Sequence, residues 1–129
     1  MSRPPLDINA YEANDGYQSI KAIAAGLSPG DVLQVVKDSG LKGWGGAGFP
    51  TGLKWSFVPQ GDNAPKQKYF VVNADEMEPG TFKDRLLMEG EPHLLLEGMI
   101  LGSYTIQASV AYIFLRGEYK ASELSLIHI

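Results

Sequence analysis

Two β-rich stretches on either side of a long apolar helix pattern constrain the fold of this chain more than any other feature. KYFVVNA is bounded by turn-forming residues and predicts a buried strand from about Tyr69 to Asn73. Pro92 opens a helix pattern that runs to about Ile106 and is apolar on nearly every side. VAYIFLR predicts a second strand from Val110 to Arg116. Because a strand–helix–strand unit forms a right-handed crossover between parallel strands, the sequence predicts an α/β fold.

Helical segments precede this unit. Residues 1–16 are polar and contain prolines, which predicts an extended leader. A short helical pattern follows from Tyr17 to Ala25. Ser28 has the chemistry of an N-cap and Pro29 suits the first position of a second helix, which Gly40 is expected to end. The predicted order is therefore N-terminal helices, a glycine-rich loop and a parallel βαβ unit.

The glycine-rich loop lies within GLKGWGGAGFPTGLKW, from Gly40 to Trp55. Gly43, Gly45 and Gly48 match the dinucleotide pattern G-x-G-x-x-G, but that pattern should follow a strand and here it follows a helix. A standard Rossmann site is therefore excluded. Bare amides leading toward a helix can still bind an anion such as a phosphate. The alternative is a tight turn without a ligand.

Large side chains next to the loop favour a ligand. A short helix is predicted to begin near Pro50, and Lys54 lies one turn into it, where its ammonium group can face a phosphate or a flavin ring. The rings of Phe49 and Phe57 can stack on a planar heterocycle. For Trp55 we predict packing in the core.

Three carboxylates follow the first predicted strand. Asp75, Glu76 and Glu78 lie at the carboxyl end of that strand, the edge at which open α/β sheets bind ligands. Crowded carboxylates repel unless a group donates to them, and sugar or ribityl hydroxyls are such donors. Alternatively, Lys83 and Arg85 pair with the acids around a Pro-Gly turn. A metal site has little support because this segment contains no histidine.

Composition excludes several classes of protein. The chain has 129 residues, a formal net charge of −4 and no cysteine, so it lacks the basic surface of a nucleic-acid-binding protein, a disulfide framework and a thiolate metal site. The longest apolar run, from His93 to Leu115, contains Glu97 and Gln107. A bilayer span needs about twenty residues with almost no such groups, so insertion into a membrane is not expected.

Two long motifs resemble one family. GWGGAGFPTGLKW (Gly43 to Trp55) followed by NADEMEPGTFKDRLLME (Asn73 to Glu89) resembles the NADH-binding flavoprotein subunit of respiratory complex I, the bacterial F subunit. PHLLLEGM and IFLRGEY also match, and the resemblance covers roughly Gly16 to Lys120. Flavoprotein subunits of NAD-reducing hydrogenases and NAD-dependent formate dehydrogenases share these motifs. The parent complex therefore stays open.

The resemblance implies an FMN-binding domain that takes hydride from NADH onto FMN, with no catalytic side chain. It implies these FMN-binding residues: Gly43, Gly45, Gly46, Gly48, Lys54, Asn73, Asp75 and Glu76. Phe49 and Phe57 are implied to stack on NADH, and Glu78 to contact its sugar or nicotinamide side. The cofactor carries out the chemistry, while the protein holds and orients the two rings.

The resemblance also implies partners and a location. Electrons would pass to iron–sulfur clusters toward quinone, through a thioredoxin-like [2Fe-2S] subunit and a large iron–sulfur subunit. The protein would belong to a peripheral arm on the cytoplasmic, inner face of the membrane, without contact to nucleic acid. Two alternatives remain: a nucleotide- or phosphate-binding module without redox activity, and an α/β fragment that binds nothing stably.

Trp44 departs from the family pattern, which usually reads G-R-G-G-A-G-F. Arginine at this position adds positive charge near an anionic ligand, and tryptophan does not. One base change from CGG to TGG converts the first residue into the second, which leaves a true variant and a sequencing error both open. We expect Trp44→Arg to tighten FMN binding.

Length is the second departure. Family members are several-fold longer and contain a second glycine–glutamate flavin motif and a cysteine-rich [4Fe-4S] region, a cluster that this cysteine-free chain cannot bind. We therefore expect a fragment in which residues 17–123 form the N-terminal part of an FMN/NADH-binding domain. Residues 124–129, LSLIHI, are what the sequencing-adapter sequence CTGTCTCTTATACACATC encodes. They are predicted to be read-through, with no ligand role for His128.

Overall fold

The computed structural model describes residues 6–62 and 64–127. In this part of the chain the helices and strands follow the order α1 (Ile8–Ala13), α2 (Gln18–Ala24), α3 (Pro29–Asp38), α4 (Thr51–Ser56), β1 (Tyr69–Ala74), α5 (Lys83–Gly90), α6 (Pro92–Ile106), β2 (Val110–Leu115) and α7 (Lys120–Ile127). None of the described helices is both long and apolar enough to cross a bilayer.

The predicted parallel βαβ unit is confirmed. β1 and β2 pair in parallel, with Tyr69 opposite Val110 and Ala74 opposite Leu115. α6 connects the two strands with the predicted bounds, and each strand ends within one residue of its predicted end. Local pattern was sufficient here because the length of the α6 segment, its Pro92 start and the β-branched and aromatic residues of the short strands distinguish helix from strand.

α6 is the centre of the packing. It contacts both strands and the helices α2, α3, α4 and α5. The closest approach is at Gly102, where a Cβ atom would lie 2.4 Å from the ring of Phe70 and 3.2 Å from the ring of Trp55. The Trp55 and Phe70 rings meet edge to face with centroids 6.2 Å apart, so the predicted packing of Trp55 is confirmed.

No helix in residues 6–62 and 64–127 covers the opposite face of the sheet. Tyr69 and Val71 on β1, with Tyr112 and Phe114 on β2, are exposed there. Their side chains alternate along each strand with those that face α6, as the period of a strand requires. Parallel sheets are usually covered on both faces, but in the described part of the chain only the α6 side is covered. The prediction of a buried strand at β1 is therefore wrong for this face, because periodicity does not reveal whether a second layer is present.

The predicted extended leader, residues 1–16, contains a helix in its described part, contrary to the prediction. Residues 1–5 lie outside the described part, but Ile8–Ala13 forms α1 because the Asp7 side chain accepts a hydrogen bond of 2.9 Å from the backbone N–H of Ala10. The two later predictions for this region are correct. α2 lies within the predicted segment, and α3 begins with the Ser28 cap and is followed by Gly40 at a φ of 66°.

α5 begins at Lys83, shortly after the acidic segment, and α6 follows it at Pro92. α7 packs against α5, and its Ser122 and Ser125 hydroxyls donate hydrogen bonds of 2.8 Å to the Glu89 carboxylate and the Met88 carbonyl. α7 includes residues 124–127, whereas His128 lies outside the described residues. The adapter origin of 124–129 concerns the nucleotide sequence and stays a prediction.

Candidate functional site

The glycine-rich loop and the acidic segment face one cleft of about 660 Å³. A cleft of this volume lies in the range of small-molecule and cofactor sites, about 300 to 1,000 Å³. It is lined by Trp44, Gly45, Gly46, Lys54, Asn73, Asp75, Glu76, Met77, Glu78, Thr81, Lys83 and Asp84. Two sequence segments that are well separated along the chain therefore contribute to the same site, as the sequence predicts.

Hydrogen bonds hold the glycine loop closed at its base. The Gly43 N–H donates to the Phe49 carbonyl at 2.9 Å, and the Thr51 N–H donates to the Leu41 carbonyl at 2.8 Å. Between these bonds, the amides of residues 44–49 donate to no other described residue. The loop thus presents a run of unpaired backbone donors on a fixed base.

Two glycines are required by the loop's backbone. Gly46 has a φ of 133° and Gly48 a φ of 61°, values that side chains disfavour. Nothing lies within 4 Å of the position that a Cβ atom would take at either residue. Conformation, and not crowding by the protein, therefore explains glycine at these positions.

A second recess of about 350 Å³ adjoins the cleft. The recess shares Gly45, Gly46 and Lys54 with the cleft and extends toward Gly43, Gly48, Phe49 and Trp55. Lys54 therefore stands where the two spaces meet. One ligand that reaches both spaces would pass this ammonium group.

The predicted aromatic pair lies at the recess. The rings of Phe49 and Phe57 are 6.2 Å apart and tilted by 54°. Phe49 lines the recess, whereas Phe57 is 66% exposed beside it and does not line the cleft. The structure brings the two predicted NADH-stacking residues together, and neither of them lines the cleft that contains the acids.

The acids are not neutralised by the lysine and arginine considered as their partners. Lys83 pairs with Asp84 at 2.6 Å, and the guanidinium of Arg85 lies 5.7 Å from the centre of the Tyr119 ring. Within residues 6–62 and 64–127, Asp75 and Glu78 form no ion pair. Nor do any three His, Asp or Glu side chains in that range cluster as a metal site would need. The alternative in which Lys83 and Arg85 pair with the acids is therefore wrong for Asp75 and Glu78.

Glu76 has a structural role that the sequence did not reveal. Only 6% of the residue is exposed, and its carboxylate accepts hydrogen bonds from the backbone N–H groups of Asp84 at 3.1 Å and Arg85 at 3.4 Å. Burial raises the pKa of Glu76, but these two hydrogen bonds and the charge of Lys83 outweigh it, so the net pKa is lowered. The carboxylate at the cleft wall thus also caps α5.

Arg116 and Tyr119 also hold the acidic segment, and sequence analysis did not single out either residue. The Arg116 guanidinium and the Tyr119 hydroxyl each donate to the backbone carbonyl of Glu76 at 3.3 Å. Both follow β2, and parallel strands bring their carboxyl ends to the same edge of a sheet. That topology, with the IFLRGEY motif, was the signal that could have identified them.

Comparison with known proteins gives a consistent result. Residues 36–126 match the family model described as the Nuo51 FMN-binding domain. The F subunit of NADH-quinone oxidoreductase in Escherichia coli strain K12 is 50% identical over 124 residues, which are 96% of this chain and 28% of that protein. The corresponding F subunit of Aquifex aeolicus strain VF5 is 52% identical over 114 residues, 88% of this chain and 26% of that protein.

The solved structure of an NAD⁺-reducing [NiFe]-hydrogenase in the air-oxidised state is also similar. It superposes with a TM-score of 0.72 at 47% sequence identity, over 78% of this chain and 17% of the hydrogenase chain. The chain therefore spans little more than a quarter of the length of the two oxidoreductase relatives that it matches. By its matched residues and its fold, this chain belongs to the Nuo51 FMN-binding domain family, whose relatives here are F subunits of NADH-quinone oxidoreductase.

Proposed function

We propose that this chain contributes the N-terminal wall of the FMN and NADH site in an NADH dehydrogenase flavoprotein subunit. One observation carries the proposal: unpaired glycine-loop amides face unpaired carboxylates across a single cleft. Donors for an anionic group and acceptors for hydroxyl groups are thus available to one small molecule. FMN contains both kinds of group, a phosphate and a ribityl chain.

Under this proposal one set of residues binds FMN from the two walls of the cleft, and a second set binds NADH. The amides of Gly45, Gly46 and Gly48 donate to the ligand, with the ammonium group of Lys54 near them. Gly43 lines the recess, but its own N–H donates to the Phe49 carbonyl and holds the base of the loop. Asn73, Asp75 and Glu76 bind the flavin from the opposite wall of the cleft. Phe49, Phe57 and Glu78 bind NADH. When bound, FMN accepts hydride and releases electrons singly, while these residues bind and orient the two rings.

The role of Glu76 is narrower than that of its neighbours. Because its carboxylate accepts two backbone hydrogen bonds from α5, it is less free than Asp75 to bind a ligand hydroxyl. Asp75 is half-buried, and its own N–H donates to the Asn73 side-chain oxygen at 3.0 Å. We expect Asn73 and Asp75 to act together on the ligand.

The proposed setting is a peripheral arm on the inner face of a membrane, beside a [2Fe-2S] subunit and a large iron–sulfur subunit. The names of the relatives support membership of a multi-subunit NADH-quinone oxidoreductase. The flavoprotein part of an NAD-reducing hydrogenase is the second candidate, supported by the similarity to the [NiFe]-hydrogenase chain. Because the chain spans 28% of the E. coli relative, electron transfer is proposed for the whole subunit.

Titration of the chain with FMN tests the proposal. Binding is followed by fluorescence anisotropy of FMN, and Gly46→Ala is expected to weaken it about tenfold, since alanine disfavours a φ of 133°. Gly61→Ala is the matched control, because Gly61 has a φ of 85°, has nothing within 4 Å of its Cβ position and does not line the cleft. Its affinity should equal that of the unmodified chain.

Three results would contradict the proposal. Equal losses in the two glycine variants would mean that general strain weakens binding. Binding of ADP without any binding of FMN would favour a nucleotide-binding module. Complete absence of binding would favour an α/β fragment without a ligand.

A further inference from the structure

We propose that Trp44 is a stacking residue of this cleft and that its indole ring covers the planar ring system of the bound ligand. The inference rests on the proposed function, under which that ring system is the isoalloxazine of FMN. It adds a ligand contact at the position where the family pattern has arginine.

The first support is the exposure of the side chain. Trp44 is 82% exposed, the highest fraction among the exposed large apolar side chains of the described residues. Its neighbours Gly43 and Gly45 have no side chain that could cover the indole. The ring therefore presents a large apolar surface to solvent at the edge of the cleft.

The second support is the composition of the cleft wall. Among the described residues that line the cleft, Trp44 is the only aromatic one. Asn73, Asp75 and Glu78 on the opposite side can contribute only hydrogen bonds, which leave the faces of a planar ring without a partner. An aromatic ring is the side chain suited to such a face.

The third support is the space beside the loop. Apart from the adjacent residues in the chain, no atom of the described protein lies within 4 Å of the Cβ position at Gly45 or Gly46. This part of the loop is therefore not covered by side chains from elsewhere in the described protein, and a flat ring can approach it beside the indole. Indole–heterocycle stacking commonly contributes about a tenfold or greater change in affinity.

The consequence for specificity follows from the chemistry of the two residues. Arginine at this position attracts the phosphate of a ligand, whereas an uncharged indole recognises its ring. This chain should therefore discriminate less than its Trp44→Arg variant between FMN and riboflavin, which has the same ring and no phosphate. Trp44→Arg should tighten FMN binding and weaken riboflavin binding.

Nuclear magnetic resonance of the ¹⁵N-labelled chain tests the contact directly. The chain contains two tryptophans, so its spectrum has two indole N–H signals, which Trp44→Phe and Trp55→Phe assign. On addition of FMN, the Trp44 signal should move upfield because of the ring current of the flavin. The Trp55 signal should move less, since that ring packs against Phe70.

Affinity measurements with matched variants complete the test. Trp44→Phe keeps an aromatic ring and should bind FMN within about twofold of the unmodified chain, whereas Trp44→Leu should bind about tenfold more weakly. Because Trp44 is exposed, both variants should keep the melting temperature of the unmodified chain. Equal affinities in these two variants would overturn the stacking role.

The outcomes separate this inference from the proposed function. If FMN moves the amide signals of Gly45 and Gly46 but leaves the Trp44 indole unchanged, FMN binds and the stacking role is wrong. If FMN moves no signal, the proposed function fails and the stacking role falls with it.

Discussion

Glu76 connects the cleft wall to helix α5, because its buried carboxylate accepts hydrogen bonds from two backbone amides at the start of that helix. The Glu76 carbonyl is held in turn by Arg116 and Tyr119 after β2. One residue thus joins β1, α5 and the segment that follows β2. The geometry of the acidic segment depends on this junction.

We predict that Glu76→Gln lowers the free energy of unfolding by about 1 kcal/mol, the usual contribution of a capping side chain. The lowered pKa of Glu76 means that its contribution is present above the ordinary value of 4.5 and is lost as the pH falls through the lower folded value. Urea unfolding near neutral pH and in acid measures both effects. The difference between the two proteins should shrink in acid.

Glu78→Gln is the control for this substitution. Glu78 lies on the same segment, is exposed, and its carboxylate has no hydrogen-bond partner among the described residues. Its replacement should leave the free energy of unfolding unchanged within about 0.5 kcal/mol. A loss at Glu78 as large as that at Glu76 would show that the charge of the segment matters and the helix cap does not.

At the scale of elements, the approach of α6 to β1 holds the βαβ unit together. Gly102→Ala would place a Cβ atom 2.4 Å from the Phe70 ring, and we predict a loss of about 1 to 3 kcal/mol in the free energy of unfolding from overpacking. Gly98→Ala, on the same helix with nothing within 4 Å, should instead gain about 0.5 to 1 kcal/mol from helix propensity. Urea unfolding of both variants measures the difference, and changes of the same sign would contradict this account.

The N-terminal helices are attached to α6 through Glu97. Its carboxylate accepts hydrogen bonds from the Tyr11 hydroxyl at 2.7 Å, the Tyr17 backbone N–H at 3.1 Å and the Ser19 hydroxyl. His93, one turn earlier on α6, meets the Tyr17 hydroxyl at 2.9 Å. α1 and α2 therefore depend on a polar contact as well as on apolar packing.

We predict that Tyr11→Phe lowers the free energy of unfolding by about 1.5 to 3 kcal/mol, because it removes a hydrogen bond to a charged group. Tyr112→Phe is the matched control, since Tyr112 is exposed on the sheet and its hydroxyl has no partner in residues 6–62 and 64–127. Thermal unfolding followed by circular dichroism compares them. A similar loss of stability in the two variants would show that the hydrogen bond from Tyr11 to Glu97 does not hold the N-terminal helices on α6.

The sequence predicts an element well when the interactions that form it join residues close together in the chain. α6 and both strands follow from segment length, local composition and flanking turn residues. The shared cleft follows from the rule that ligands bind at the carboxyl edge of a parallel sheet. α1 was missed because its polar residues concealed the Asp7 cap. The cap at the start of α5 and the hydrogen bond from Arg116 to the Glu76 carbonyl each join residues that are eight or more positions apart. Local pattern contains no information on such contacts.

For the molecule as a whole, ionisable groups lie at the junctions between elements. Burial raises the pKa of Glu97, but hydrogen bonds from Ser19, Tyr11 and Tyr17 outweigh it, so the pKa is lowered, as it is for Glu76. Burial raises the pKa of Tyr11, and its hydrogen bond to Glu97 raises it further. Burial and the charge of Glu97 likewise raise the pKa of Tyr17. Protonation of Glu97 in acid and ionisation of the tyrosines in base should therefore both weaken the contact between α6 and the N-terminal helices.

The stability of the whole chain should consequently be greatest at intermediate pH and fall at both ends. The carboxylates contribute above their ordinary pKa of 4.5 and lose that contribution in acid, whereas the tyrosines contribute below their ordinary pKa of 10.0 and lose it as the pH rises further. Melting temperatures measured by circular dichroism from about pH 3 to about pH 11 test this profile. The Tyr11→Phe variant should have a lower melting temperature than the unmodified chain near neutral pH. Its melting temperature should fall less above pH 10.0, because only one of the two tyrosines with a raised pKa remains. An equal alkaline loss in the two proteins would show that Tyr11 does not link proton release to unfolding.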